Sequence, residues 1–116
     1  MAQSLTISVE WEGKTYQYSP SLIDIRTAIA IKDYTGLGMR SWERAVDDAD
    51  PQALQCLLFA IKAQAGERVP IASLEFSPVE FFAEINRAAL EAVAAAAAEA
   101  REAGELDEDP TGTAVE

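Results

Sequence analysis

The chain contains no histidine and a single cysteine, Cys56, among 116 residues. Histidine is the commonest general acid–base side chain and the commonest metal ligand, so its absence argues against an enzyme and against a metal site. One thiol cannot close a disulfide within the chain, and no signal peptide is expected before the first polar segment. Cys56 falls within an apolar helical pattern, which predicts a buried structural thiol. We expect a cytoplasmic protein with no catalytic residues, no cofactor and no metal.

Long hydrophobic runs and an excess of basic residues are also lacking. The longest strongly apolar run is about Ala53 to Ala60, interrupted by Gln55, whereas a membrane span needs roughly 20 residues. Lysine and arginine number 9 against 20 acids, and residues 75–116 hold eleven of the acids with two of the bases. Such a surface repels a phosphate backbone. The composition predicts neither membrane insertion nor direct nucleic-acid binding.

The N-terminal part of the chain has the pattern of a β-hairpin. Apolar and polar residues alternate from Leu5 to Trp11, and alternation resumes from Thr15 to Tyr18 after the tight turn at Glu12-Gly13. A lone hairpin is marginal in water, so its apolar face must lie on other elements. We predict a hairpin over residues 4–18 that packs on the helices that follow.

Cap signals at Ser21, Asp50 and Ser77 predict the starts of helices in the rest of the chain. The predicted helices span about 22–35, 41–48, 51–65 and 78–103. The fold class is therefore α+β and mainly α, with the hairpin on a bundle of about four helices. We expect one domain over residues 1–103 and a disordered acidic tail over 104–116.

The first predicted helix is apolar almost all round. Leu22, Ile25 and Ile29 form one stripe, whereas Ile23 and Ile31 lie well off that stripe. A helix that is hydrophobic on every side is usually buried. We therefore expect the first helix at the centre of the domain.

Two aromatic residues have no obvious place in the apolar stripes of their helices. Phe59 lies roughly opposite the stripe of the third helix, which consists of Leu54, Leu57, Leu58 and Ile61. Phe81 flanks the inner stripe predicted for the last helix, which consists of Val79, Phe82, Ile85, Ala89 and Val93. Phe59 and Phe81 are thus candidate protein-binding residues, and the alternative that both rings pack under loops stays open.

Several polar features offer no organised chemistry. Gly36-Leu37-Gly38 lacks the strand and the Gly-Lys-Ser or Gly-Lys-Thr of a phosphate loop and is interpreted as a helix cap with a linker. The acid pairs Asp47-Asp48 and Asp107 to Asp109 lie at a helix end and in the tail, where nothing fixes their geometry. Glu84 and Arg87, three residues apart, are typical of an exposed helix face. We interpret all of them as solvated surface.

A series of short segments runs through the middle of the chain, over about 55 residues from the first helix to Phe76. They are Ile25 to Gly36 with its ending Lys32-Asp33-Tyr34-Thr35-Gly36, then Trp42 with Ala45, Asp50-Pro51-Gln52-Ala53-Leu54, Leu57-Leu58-Phe59-Ala60, Ala65-Gly66-Glu67 and Leu74-Glu75-Phe76. In this order the segments resemble the tail assembly chaperones of long-tailed siphophages. An acidic C-terminal tail is also typical of that family.

The resemblance implies a protein of the host cell cytoplasm that is absent from the mature virion. Such a chaperone keeps the tape measure protein soluble and helps to recruit tail tube subunits around it. A longer product of the family, made by ribosomal frameshifting, carries an extra domain that contacts the tube protein, and here it would join near Glu105. We also expect self-association, because an alanine-rich last helix permits close approach of a second helix.

The rival interpretation is a small acidic regulatory or inhibitory protein that targets a basic host factor. Mimicry of nucleic acid requires carboxylates at phosphate-like spacing over a folded face, whereas the acids here gather towards the C-terminus. An acidic tail can attract a basic protein or simply keep the chain dispersed. A tape measure gene directly downstream would favour the chaperone.

Overall fold

The structure, a computed structural model, describes residues 6–102. A two-stranded antiparallel hairpin packs against four helices, which confirms the predicted fold class. The elements are β1 (Ile7–Trp11), β2 (Lys14–Tyr18), α1 (Ile25–Thr35), α2 (Met39–Asp47), α3 (Pro51–Gln64) and α4 (Pro78–Glu102). Short 3-10 turns occur at Pro20–Leu22 and Ile71–Ser73. The predicted tail, residues 104–116, and the first residues of the predicted hairpin lie outside the described residues.

The hairpin forms because its turn and its alternation agree. Glu12 and Gly13 adopt φ values of 53° and 78°, the left-handed conformation that a tight two-residue hairpin turn requires. In the resulting register Ile7 lies opposite Tyr18 and Val9 opposite Tyr16. These four side chains are buried, so one face of the hairpin belongs to the core.

The central helix is α3, and the prediction that the first helix is central is wrong. Nine of the 14 residues of α3 are buried, and they lie on every side of the helix. β2, α1, α2 and α4 all pack against it. In α1 the buried residues are Thr27 and Ile31, whereas Ile25 and Ile29 are exposed. Apolar residues on all sides thus occur in both helices, and α3 is the one surrounded by other elements.

Side-chain caps fix where the helices begin. The N–H of Thr27 donates to Asp24 Oδ1 at 2.9 Å, so α1 begins after Asp24 and not after the predicted cap Ser21. Asp50 and Ser77 are caps as predicted, since Asp50 Oδ2 accepts from Ala53 N–H at 3.0 Å and Ser77 Oγ accepts from Glu80 N–H at 3.2 Å. Ser21 instead lies in a 3-10 turn that separates β2 from α1.

α4 is rotated relative to the prediction. Phe81 and Ala88 are its buried residues, whereas Val79 is 79% exposed. The Phe81 ring centroid lies 5.1 Å from that of Trp11 and 5.0 Å from that of Phe76, with the rings edge to face. α4 is apolar on two sides, and the side that carries Phe81 and the small Ala88 meets the hairpin.

The open edge of β1 is covered by two charged side chains of α4. The N–H of Glu10 donates to Glu84 Oε2 at 2.7 Å, and Arg87 Nη2 donates to the carbonyl oxygen of Ser8 at 3.1 Å. The sequence indicated that Glu84 and Arg87 form a solvated helix face. In the structure both side chains instead contact the backbone of β1. An edge strand exposes unpaired backbone groups, and these two side chains satisfy two of them.

Candidate protein-binding groove

The structure places both predicted protein-binding residues in the core. Phe81 is 0% exposed and Phe59 is 8% exposed. Phe59 lies opposite the main stripe of α3, but that side of α3 is also covered by neighbouring elements. Neither ring presents a surface to a partner in this fold, and an interface must be sought elsewhere.

An apolar groove of about 430 Å³ lies between α2 and α4. The hairpin and α3 form its floor, and the two helices form its walls. The groove is partly open to solvent, and its lining comes from both strands, the turn at Pro20, α2, α3 and α4. The principal ones are Ile7, Leu57, Trp42, Val46, Ile85 and Val93.

Two carboxylates mark one edge of the groove. Glu43 and Asp47 line it, are exposed, and lie one helical turn apart on α2. The pKa of the Tyr18 phenol on the groove floor is raised, first by burial and second by the negative charge of Glu43. None of the described residues that line the groove is basic. The groove therefore combines an apolar floor with an acidic rim.

The spacing of residues in α2 explains this combination. Trp42 and Val46 are four residues apart and face inward, while the residue that follows each of them is acidic. Trp42 Nε1 donates to the carbonyl oxygen of Ala53 at 3.1 Å, which fixes α2 against the start of α3. The apolar row of α2 is local in the sequence, whereas the opposite wall depends on how α4 packs.

Two other apolar surfaces are exposed outside the groove. One surface is formed by Ile25 and Ile29 of α1 with Leu22 of the preceding 3-10 turn, and Ile25 is 73% exposed. Val79 and Leu90 lie on the outer side of α4. Contiguous exposed apolar residues commonly mark interaction sites.

A polar cluster joins the hairpin to the end of α3. Lys62 Nζ donates to Tyr16 Oη at 3.1 Å and lies 3.4 Å from Glu67 Oε1, and Lys14 Nζ lies 2.6 Å from Glu67 Oε2. Burial lowers the pKa of Lys62, but its contacts with Tyr16 and Glu67 outweigh burial and the pKa is raised overall. The hydrogen bond from Lys14 is the main reason that the pKa of Glu67 is lowered. The cluster ties the segment after α3 to β2.

The remaining candidate groups contribute packing. Cys56 is completely buried, and burial raises the pKa of its thiol to about 12. Within residues 6–102 no cluster of three or more metal-binding side chains occurs. None of the described helices is both long enough and apolar enough to cross a bilayer.

Comparison of the chain with protein-family models, curated proteins and solved structures gives no match.

Proposed function

We propose that this protein is a tail assembly chaperone of a long-tailed phage and that it binds the tape measure protein in the groove between α2 and α4. The observation that carries the proposal is the open apolar groove with Glu43 and Asp47 on its rim. The resemblance of the middle of the chain to tail assembly chaperones supplies the identity of the partner. The proposed binding residues are those of the groove and not Phe59 or Phe81.

The groove has the form that a helical partner requires. An amphipathic helix binds a groove by placing apolar residues from successive turns on its floor, and a groove between two helices suits this mode. A long helical tape measure protein exposes apolar stripes until the tail tube encloses it. A net charge of −11 helps such a complex to stay dispersed.

The segments that carry the resemblance support the same site. The first four fall on α1, α2 and α3 or their caps, and the last two, Ala65-Gly66-Glu67 and Leu74-Glu75-Phe76, follow α3. Trp42 of α2 and Leu57 of α3, which belong to these segments, also line the groove. The resemblance and the apolar surface thus involve some of the same residues.

The proposed place of action is the host cell cytoplasm during tail assembly, and the protein leaves no copy in the mature virion. A frameshifted longer form would bring the tail tube protein to the complex through its added domain. Nucleic acid is not a proposed partner.

Co-expression with the tape measure protein of the same phage tests the proposal. Wild type should keep the tape measure protein soluble and be recovered with it. Val46→Asp places a charge in the groove wall and should weaken binding by roughly thirtyfold or more, as loss of a central interface anchor does. Ser41→Asp introduces the same side chain at an exposed position of α2 outside the groove lining and should bind like wild type.

Glu43→Lys provides a second variant that should weaken binding. It reverses the charge of an exposed rim residue and leaves the core intact. Melting temperatures of all variants separate loss of binding from loss of folding. If folded wild type neither binds nor solubilises the tape measure protein, the chaperone proposal is wrong. The acidic regulatory protein that targets a basic host factor then becomes the better hypothesis.

A further inference from the structure

The outer side of α4 carries a regular apolar seam. Its positions are spaced alternately by three and four residues, the spacing at which two helices pack along their length. Leu90 and Val93, at the middle of the seam, are 72% and 54% exposed, and Val93 also borders the groove. The central seam consists of Ala83, Asn86, Leu90, Val93, Ala97 and Ala100.

Apart from Val93 at the edge of the groove, the seam faces away from the body of the protein. Phe81 and Ala88 are buried against the hairpin and α3, and Leu90 lies about 200° around the helix from Ala88 at roughly 100° per residue. The seam residues are uncharged throughout, and most are small. A second helix can therefore approach α4 closely along this side.

We propose that a second copy of this chain covers the seam, with the two α4 helices antiparallel. In this pairing Leu90 packs against the partner's Val93, and the twofold axis repeats that contact. Asn86 faces the partner's Ala97, and Ala83 faces the partner's Ala100. All six central seam positions are used, as a symmetric interface requires.

Charge determines this alignment. Beside the seam, Glu80 in the first turn of α4 meets the partner's Arg101 from the last turn, and symmetry forms that ion pair twice. An antiparallel pair shifted by one seven-residue repeat would bring Arg87 against the partner's Arg87. A parallel pair would place Glu80 and Arg101 beside uncharged residues of the partner. The proposed alignment is the one that pairs opposite charges.

The overall charge of the chain also favours this surface for a second copy. Two copies that each carry a net charge of −11 repel each other, so they can associate most readily where carboxylates are absent. The seam is such a surface, and it is distinct from the acidic rim formed by Glu43 and Asp47. The dimer requires no tape measure protein, although the two surfaces meet at Val93, which borders the groove.

Cysteine cross-linking of the full chain tests the alignment. Ala83→Cys and Ala100→Cys are made as separate variants, and Cys56 is left in place because it is buried. In the antiparallel dimer neither variant should cross-link with itself under mild oxidation, whereas a mixture of the two should form a covalent dimer. Self-cross-linking of either variant alone would indicate a parallel pair and overturn the proposal, as would no cross-linking in the mixture.

Sedimentation equilibrium provides the second measurement. Leu90→Glu should weaken dimerisation at least about thirtyfold, whereas Ala95→Glu, at an exposed position off the seam, should leave it unchanged. Glu80→Arg or Arg101→Glu alone should weaken the dimer several-fold, and the double reversal should restore it. A monomeric wild type, or a Leu90→Glu variant that dimerises normally with an unchanged melting temperature, would contradict the proposal.

Discussion

Lys62 is the one charged residue that is buried within the described part of the chain. A buried ammonium is costly unless its protons find acceptors and its charge is balanced. Tyr16 Oη and Glu67 Oε1 provide these contacts at 3.1 and 3.4 Å, and Lys14 holds Glu67 from the solvent side. Glu67 is therefore the residue on which the whole cluster depends.

Replacement of Glu67 by glutamine should change how the stability of the fold depends on pH. The pKa of Glu67 in the folded protein lies below its ordinary value of 4.5, so the carboxylate stabilises the fold fully above that pH. This contribution is lost as the pH falls through the folded-state pKa. The melting temperature of Glu67→Gln should thus lie below that of wild type at pH 7, and the difference should shrink towards pH 3. Thermal melts followed by circular dichroism across this range provide the measurement.

Glu75→Gln serves as the control for the pH experiment. Glu75 is exposed and forms no ion pair with the residues that the structure describes. Its replacement should leave the pH profile close to that of wild type. A difference between Glu67→Gln and wild type that stays constant from pH 7 to pH 3 would show that the carboxylate charge does not matter.

Truncation of the two buried phenylalanines should destabilise the fold. Phe59→Ala and Phe81→Ala each remove a core ring, which typically costs about 3–5 kcal/mol. For a domain of this size that corresponds to a fall in melting temperature of more than about 10 °C. Ile25→Ala, which truncates an exposed side chain of α1 outside the dimer seam, should change the melting temperature little. Either phenylalanine variant with the melting temperature of wild type would place that ring outside the core.

The two rings also show why single-helix patterns locate the core only in part. The pattern of α3 identified four core residues correctly but left Phe59 outside, because a helix covered on all sides has no outer face. In α4 both sides are apolar, so the pattern could not decide between Phe81 and Val79. That choice depends on the aromatic contacts with Trp11 and Phe76, which are distant in sequence.

At the scale of the elements, α4 is tied to β1 by polar contacts as well as by Phe81. Glu84 accepts from the Glu10 N–H, and Arg87 donates both to Glu84 and to the carbonyl oxygen of Ser8. The pKa of Glu84 is lowered, first by the hydrogen bond from Arg87. These contacts complete a hairpin that has only two strands and leaves one edge of β1 unpaired.

Hydrogen exchange should detect the loss of this contact. Glu84→Ala removes the acceptor of the Glu10 N–H, and that amide should exchange roughly 2- to 10-fold faster, in line with the net worth of one hydrogen bond. Glu91→Ala provides the matched control, since Glu91 contacts Arg87 at 3.0 Å without reaching β1. Equal exchange rates for the Glu10 amide in both variants and wild type would mean that Glu84 does not protect the strand edge.

Local signals predicted the elements well and their arrangement less well. The hairpin turn and the caps Asp50 and Ser77 depend on residues close in sequence, and they occur as predicted. Ser21 was the predicted cap of the first helix, but it lies in a 3-10 turn and Asp24 caps α1 instead. The groove combines α2 with α4, which are more than 30 residues apart, so no local pattern could reveal it.

At the scale of the whole molecule, the apolar core ends well before the C-terminus, where the acids are no longer balanced by bases. All buried hydrophobic residues of the described structure fall between Ile7 and Ala88. Residues 105–116 contain five acids and no lysine or arginine. The described part is 59 Å long, because α4 alone contains 25 residues and extends over about 37 Å. Stability and charge should therefore respond separately to changes at the C-terminus.

Deletion of residues 105–116 tests this separation. Because the core lies upstream of the deleted residues, the melting temperature should stay within a few degrees of wild type. The deletion also removes five negative charges, so repulsion between copies should weaken and self-association at low salt should tighten. That gain should disappear as the salt concentration rises and screens the charges. A fall in melting temperature of more than a few degrees would instead show that the deleted segment packs against the domain. Self-association that stays tighter than that of wild type in high salt would exclude charge repulsion as the cause.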